Sequence, residues 1–194
     1  MFKFYKENSY QIVRCMINQL GITVFALVIS TVTQKSASWL LAGSIFATLF
    51  YLFLLYTIMW EQGAKDILRI EGGRASLDRL YGFKIAVCAN LPNFLLGLLT
   101  LIGFILWDPM VGLELSWASG LYGIPSLIIS LFEAMYIGIL KWIIPTGSFQ
   151  YLVGAIAYLL SPVPAILVCG GAYFLGIKNI RLFFYDPVTR KKTK

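Results

Sequence analysis

The chain has 194 residues, enough for one compact domain, and 59% of them are hydrophobic while only 13% are charged. A water-soluble domain is roughly 45–50% apolar and about 25% charged, so no soluble core could hide this excess and lipid must surround much of the chain. The net charge of +7 does not point to nucleic acid, because the basic residues are shared out among short segments flanking apolar runs, as membrane proteins distribute them.

The first apolar run, Ile12 to Val32 with Arg14 near its start, is long enough at ~1.5 Å per residue to cross a hydrocarbon core of ~30 Å. Lys3 and Lys6 precede it, but the run exceeds the ~7–15 apolar residues of a cleaved signal peptide and reads as a span. Gln34-Lys35-Ser36 is a turn. The second span, Trp39 to Trp60, has no charge and carries a tryptophan at each end, where an amphipathic ring prefers the headgroup level. Glu61 to Lys84 is the one long charged stretch. Ile67, Leu68 and Ile70 lie within it and Gly72-Gly73 breaks it, which predicts two short interfacial helices joined by a turn.

The third span, Ile85 to Trp107, is again uncharged and ends at Asp108-Pro109. Met110 to Pro145 is apolar overall, yet it holds Glu114, Glu133 and Lys141, with Gly120, Gly123 and Pro125 as breaks. The last span falls at about 150–177, within the run Phe149 to Ile177. That run is longer than one crossing needs, so Pro162 and Pro164 predict a kink or a start that lies flat. A basic tail, 178–194, follows.

Lys and Arg set the orientation. The N-terminal flank has three, the 61–84 loop five and the tail six, whereas the turn before the second span has one, and the segment after the third span has none before Lys141. The N-terminus, the loop and the tail therefore want the cytoplasm, which requires an even number of crossings. The expected fold is an all-α polytopic membrane domain over 1–194: four full transmembrane helices plus a re-entrant or interfacial helical hairpin at 110–145. Five or six crossings are the alternatives. Backbone that leaves the helix at membrane depth is tolerated where protein or a wet cavity covers it.

Glu133 is the most informative residue, because a charge at mid-membrane costs about 2.5–3.5 kcal/mol on insertion scales and such residues usually face a bundle interior or a water-filled path. At 100° per residue, Ser126, Ser130, Glu133 and Lys141 fall on one stripe about 80° wide. That stripe lines a polar path or substrate cavity, or faces water from a helix lying at the outer interface. In Asn90-Leu91-Pro92-Asn93 two amides flank a proline, which frees a backbone acceptor that a side chain or ligand can meet. Asn18 and Gln19 sit at a similar depth in the first span and are placed to meet Asn90 and Asn93 in one amide cluster. Pro92, Pro162 and Pro164 are candidate hinges. Lys65, Arg69, Arg74 and Arg79 form a candidate surface for a cytoplasmic partner or for anionic headgroups, worth about 1 kcal/mol each near the membrane.

The absences narrow the chemistry. There is no histidine, hence no histidine-dependent triad, and no phosphate loop, zinc-protease motif or nucleophile elbow. Cys15, Cys88 and Cys169 lack metal spacing and read as buried apolar residues. No enzyme activity, cofactor, metal or nucleic-acid partner is expected.

Asn18-Gln19-x-Gly21, the run Tyr56 to Asp66, and Ala89-Asn90-x-Pro92-Asn93-Phe94 together resemble a group of small multi-span integral membrane proteins of Gram-positive bacteria. The likeness covers most of the chain. That group has no assigned activity, so the resemblance implies a bacterial plasma membrane, nothing catalytic and no residue roles. In size the chain is also similar to the substrate-binding subunits of energy-coupling vitamin importers, although its first span lacks a small-residue docking motif. The functional expectation is a small-solute or ion transport protein, or the membrane subunit of one. The alternatives are a scaffold or regulatory subunit of a larger membrane complex, and a homo-oligomeric channel.

Overall fold

The structure, a computed structural model, describes residues 2–73, 78–107, 117–144, 149–180 and 182. Asp108, Pro109, Glu114, Arg74, Arg181 and the basic residues Arg190, Lys191, Lys192 and Lys194 lie outside them. The described residues form α-helices, with no strand among them: α1 (Phe2–Glu7), α2 (Ser9–Thr33), α3 (Ala37–Glu71), α4 (Tyr81–Ala89), α5 (Leu91–Trp107), α6 (Ala118–Phe132), a 3₁₀ turn (Ala134–Tyr136), α7 (Ile137–Ile143), α8 (Gln150–Leu160) and α9 (Val163–Ile177).

The polarity of the fold is that of a protein dissolved in lipid. Val32, Leu49, Leu127 and Leu167 are more than half exposed, whereas Gln19, Thr48, Asn93, Thr100 and Glu133 are buried. The apolar side chains thus face outward, and polar groups that must find partners are gathered inside.

The helix ends sort onto two faces. At the proximal face, where α2 begins, Gln11 donates to Gln62 at 2.7 Å and Arg14 pairs with Glu61 at 3.3 Å, so α3 runs back against α2. Tyr81 at the start of α4 donates to Asn8 at 2.7 Å, and Tyr173 near the end of α9 donates to Asp66 at 3.1 Å. At the distal face the rings of Trp107, Tyr122 and Tyr151 meet with centroids 5.0, 5.6 and 5.9 Å apart, joining the end of α5 to the starts of α6 and α8. Four passages therefore join the two faces: α2, α3, α4 with α5, and α8 with α9.

The fifth segment enters and leaves on the distal face. α6 starts against Gly103 and Trp107 of α5 and descends to Glu133. There the chain turns by 87° into the 3₁₀ turn and α7. A Cβ at Gly154, in the first turns of α8, would lie 3.3 Å from the Tyr122 hydroxyl and 3.8 Å from Ile144, so both arms of the hairpin return to one level. Among the described residues three helices are long and apolar enough to cross a membrane, or up to five if each bent pair is one span, as expected of an all-α polytopic membrane domain.

Three expectations are corrected. The first half of the charged loop is not a separate interfacial helix: α3 continues unbroken to Glu71, ~52 Å at ~1.5 Å per residue, because nothing before Gly72-Gly73 interrupts it. The break itself falls as expected, with Gly73 at φ +68°. The second interfacial helix is α4, the proximal part of the third span, which starts at Tyr81 rather than Ile85 and bends 57° into α5 at Asn90. In the last span, Ser161 and Pro162 interrupt the helix, yet α8 and α9 run on as one 28-residue span, so neither proline turns it sharply.

Candidate functional site

Glu133 is 1% exposed, at the bottom of the re-entrant hairpin. The helix ends there because its backbone N–H bonds back to Ile129 at 2.8 Å while its φ of −114° and ψ of 34° leave the helical region. Ending a helix inside a membrane strips carbonyls of their partners, and water cannot replace them. The neighbouring helices supply the replacements. Thr23 of α2 donates to the carbonyl of Phe132 at 2.5 Å, and Thr48 of α3 donates to that of Met135 at 3.1 Å. Ser44 accepts the N–H of Gly138 at 2.8 Å. Gly138 itself has no room for a side chain, since a Cβ would collide with the Leu40 backbone and the Ser44 hydroxyl. At ~1.5 Å per residue, Thr23 and Thr48 each lie roughly 15–16 Å from the distal ends of their helices, about half the depth of a hydrocarbon core.

The carboxyl has few partners. Its Oε2 has no hydrogen-bond partner, nor does the buried hydroxyl of Tyr136. Ser161, at the break between α8 and α9, stands beside the carboxyl and donates its own proton to the Tyr158 carbonyl at 2.7 Å. Tyr51, Tyr136 and Tyr158 lie within electrostatic reach of it. No Lys or Arg among the described residues pairs with it; the ion pairs there join Glu61, Asp66 and Asp78 to basic side chains at the proximal face.

The other sequence candidates are placed as follows. Ser126 and Ser130 lie on α6, whose end Glu133 caps, and each donates to a carbonyl of that helix, Gly123 at 2.9 Å and Leu127 at 2.8 Å. The bend at Glu133 carries the exposed Lys141 away from them. The extension of the stripe to Lys141 assumed one straight helix, and the helix stops at Glu133. Asn90 caps α4 and donates to Ala86 at 3.0 Å, while Asn93 donates to Asn90 at 3.3 Å, both nearly fully buried. The amide cluster with the first span does not form, since Asn18 Nδ2 and Gln19 Nε2 have no hydrogen-bond partner. Pro92 sits in the first turn of α5 beside the 57° bend, and Pro162 and Pro164 open α9. Lys65 pairs with Glu61 at 2.6 Å and Arg69 with Asp66 at 3.4 Å, and Arg79 is exposed.

Sequence reasoning passed over a second polar group at the proximal face. Gln62 donates to Asp66 at 3.0 Å and accepts from Gln11, and Asp66 also takes the Tyr173 hydroxyl. Gln62, Asp66 and Tyr173, with Arg69, Asp78 and Tyr81, line a cavity of about 180 Å³. The chain Gln11–Gln62–Asp66–Tyr173 ties α2, α3 and α9 together, with Gln11 Oε1 left without a partner. Among known proteins, no family model matches this chain, and no curated protein or solved structure resembles it.

Proposed function

We propose that this protein carries a small solute or ion across a bacterial plasma membrane, with both termini in the cytoplasm, and that the re-entrant turn at Glu133 is its central site. One observation carries the reading: a carboxyl without a basic partner is held at mid-depth where one helix ends and a second span is interrupted. Discontinuous helices meeting near the midplane around polar groups are how many transporters build their sites. A merely structural role would be served better by an apolar residue, since placing a carboxylate there costs energy that packing does not return. In this closed state the site is sealed, so transport requires the hairpin or the α8–α9 break to move.

The scaffold reading draws on the paired charges of the α3 extension. It leaves the buried carboxyl without a role. The channel reading has no support in the placement of Glu133, which its own chain encloses. The test is uptake into vesicles holding the purified protein, with labelled monovalent cations, amino acids and sugars as probes, with and without a pH gradient. At least one uptake should exceed that of empty vesicles and fall by tenfold or more in Glu133→Gln, while Ser126→Ala and Ser130→Ala leave it unchanged. No uptake from any probe, or uptake indifferent to Glu133, overturns the reading.

A further inference from the structure

Helices are interrupted inside the bundle at three places. α4 bends 57° into α5 at Asn90, α6 turns by 87° into the 3₁₀ turn and α7 at Glu133, and α8 gives way to α9 at Ser161-Pro162. These breaks divide the helices into two groups. One is α5, α6 and α8, each with one end at an interruption and the other at the distal face. The other is α2, α3, α4, α9 and the 3₁₀ turn with α7. Each group is packed tightly within itself. In the first, a Cβ on Gly103 of α5 would strike the Leu121 and Tyr122 backbone of α6, and one on Gly97 would stand 3.0 Å from the Leu159 Cα of α8. The Trp107, Tyr122 and Tyr151 rings join the distal ends of the same three helices. In the second, α3 meets α9 at Gly63 and Gly176, α4 meets α9 at Gly82 and Gly170, and α7 meets α3 at Gly138, each without room for a Cβ.

The seam between the groups is made differently. A Cβ at Gly154 of α8 would stand 3.8 Å from Ile144 at the end of α7, an ordinary contact that side chains can remake. Thr23 of α2 reaches across to the Phe132 carbonyl at 2.5 Å, yet Phe132 adjoins an interruption, where any displacement is smallest. Helices whose backbones touch cannot slide past one another without collision, so each group is stiff. An interrupted helix has lost the backbone bonds that resist bending, and element ends are where hinges absorb a change in φ and ψ. Pro92 stands beside the first break, and Pro162 is part of the third.

We propose that α5, α6 and α8 form one rigid body that rocks against the rest of the bundle on pivots at Asn90, Glu133 and Ser161-Pro162. The pivots lie at its inner ends, and its helices run from them to the distal face. The seam therefore opens toward that face, where α6 parts from α7 and uncovers Glu133. The proximal end stays shut, because α4 and α9 are held to the other body by their glycine contacts. The use of this motion as a gate rests on the transport reading, but the motion itself is measured without transport.

The experiment is pulsed electron paramagnetic resonance of the full chain in lipid nanodiscs, with nitroxide labels on pairs of introduced cysteines. Ile105→Cys, Ile124→Cys and Ile156→Cys mark α5, α6 and α8, while Val28→Cys and Leu49→Cys mark α2 and α3; all five positions are exposed. Pairs within either group should each give one narrow distance distribution. Pairs joining Ile124 or Ile156 to Val28 or Leu49 should give distributions at least twofold broader, or split in two, with the added distances longer. Equally narrow distributions for every pair overturn the proposal, because nothing then rocks. Broadening between Ile105 and Ile124 overturns it as well, because the hairpin then moves by itself. If a variant fails to fold, Leu98→Cys on α5 and Leu127→Cys on α6, also exposed, take its place and decide between the same outcomes. Rocking without vesicle uptake sinks the transport reading alone; uptake that depends on Glu133, with α6 moving apart from α5, sinks the two-body inference alone.

Discussion

Glu133 can be found in the sequence because its cost is large: nothing but a function or a partner keeps a carboxylate in an apolar run. The hydroxyls that support it cannot. Thr23, Thr48 and Ser44 reach across to the hairpin, while Thr57, Ser126 and Ser130 bond carbonyls within their own helices, and residue type alone does not separate the two kinds. The difference between the two kinds of hydroxyl is measurable. Thr48→Val keeps the shape but strands the Met135 carbonyl, so it should lower stability by roughly 1–2 kcal/mol, between the ~0.6 of an average bond in lipid and the 1–3 of a buried unmet group. Thr48→Ser should restore most of the loss, and Thr57→Val, whose bond partner is its own Leu54 carbonyl at 2.8 Å, should cost much less. Thermal midpoints in one detergent check all three. Equal losses at Thr48 and Thr57 would mean that the hairpin does not depend on its cross-helix donors.

At the scale of elements, apolar run lengths and tryptophan ends were enough to place α2, α5 and most of α3, because the hydrocarbon thickness fixes how long a span must be. The extension of α3 was missed because apolar run length marks only where the lipid ends: Glu61, Gln62, Ala64, Lys65, Leu68 and Arg69 are good helix formers, and the helix continues until Gly72-Gly73 stops it. Which glycines hold helices together was also hidden, since small-residue spacing is common in membrane helices. The structure separates them. A Cβ on Gly63 would strike the Tyr173 carbonyl, and one on Gly176 would strike that of Trp60, so α3 and α9 touch backbone to backbone. Gly21 and Gly171 have open space. Gly63→Ala and Gly176→Ala should each destabilise by about 1–3 kcal/mol through overpacking. Gly21→Ala and Gly171→Ala should be neutral or better, because alanine is favoured over glycine in a helix interior by about 1 kcal/mol. Denaturation of the four variants in mixed micelles reads this directly, and a loss at Gly171 as large as at Gly63 would contradict the α3–α9 contact.

For the whole molecule, the apolar excess led to the all-α membrane fold, while counting basic residues asks only on which side each loop must end. It could not say how α6 and α7 are disposed; the placement of both Tyr122 and Ile144 within 4 Å of a Cβ at Gly154 brings their far ends to one level. The hairpin and a fifth crossing differ in one respect that labelling can read. Trp117 at the start of α6 is 61% exposed and Trp142 near the end of α7 is 76% exposed. If the segment re-enters, Trp117→Cys and Trp142→Cys react with a membrane-impermeant thiol reagent from the same side, and Lys65→Cys, on the α3 extension, reacts from the other. If it crosses, the two tryptophan positions fall on opposite sides and the tail changes compartment with them. The native thiols of Cys15, Cys88 and Cys169 are buried and should add little background. The outcome also bears on mechanism. A hairpin that dips in from one face gives Glu133 a short path to that face through its own arms, and the four complete spans wall it off from the other. Under the transport proposal, exchange between faces has to come from the α8–α9 break at Ser161, an interruption in a helix that joins both faces.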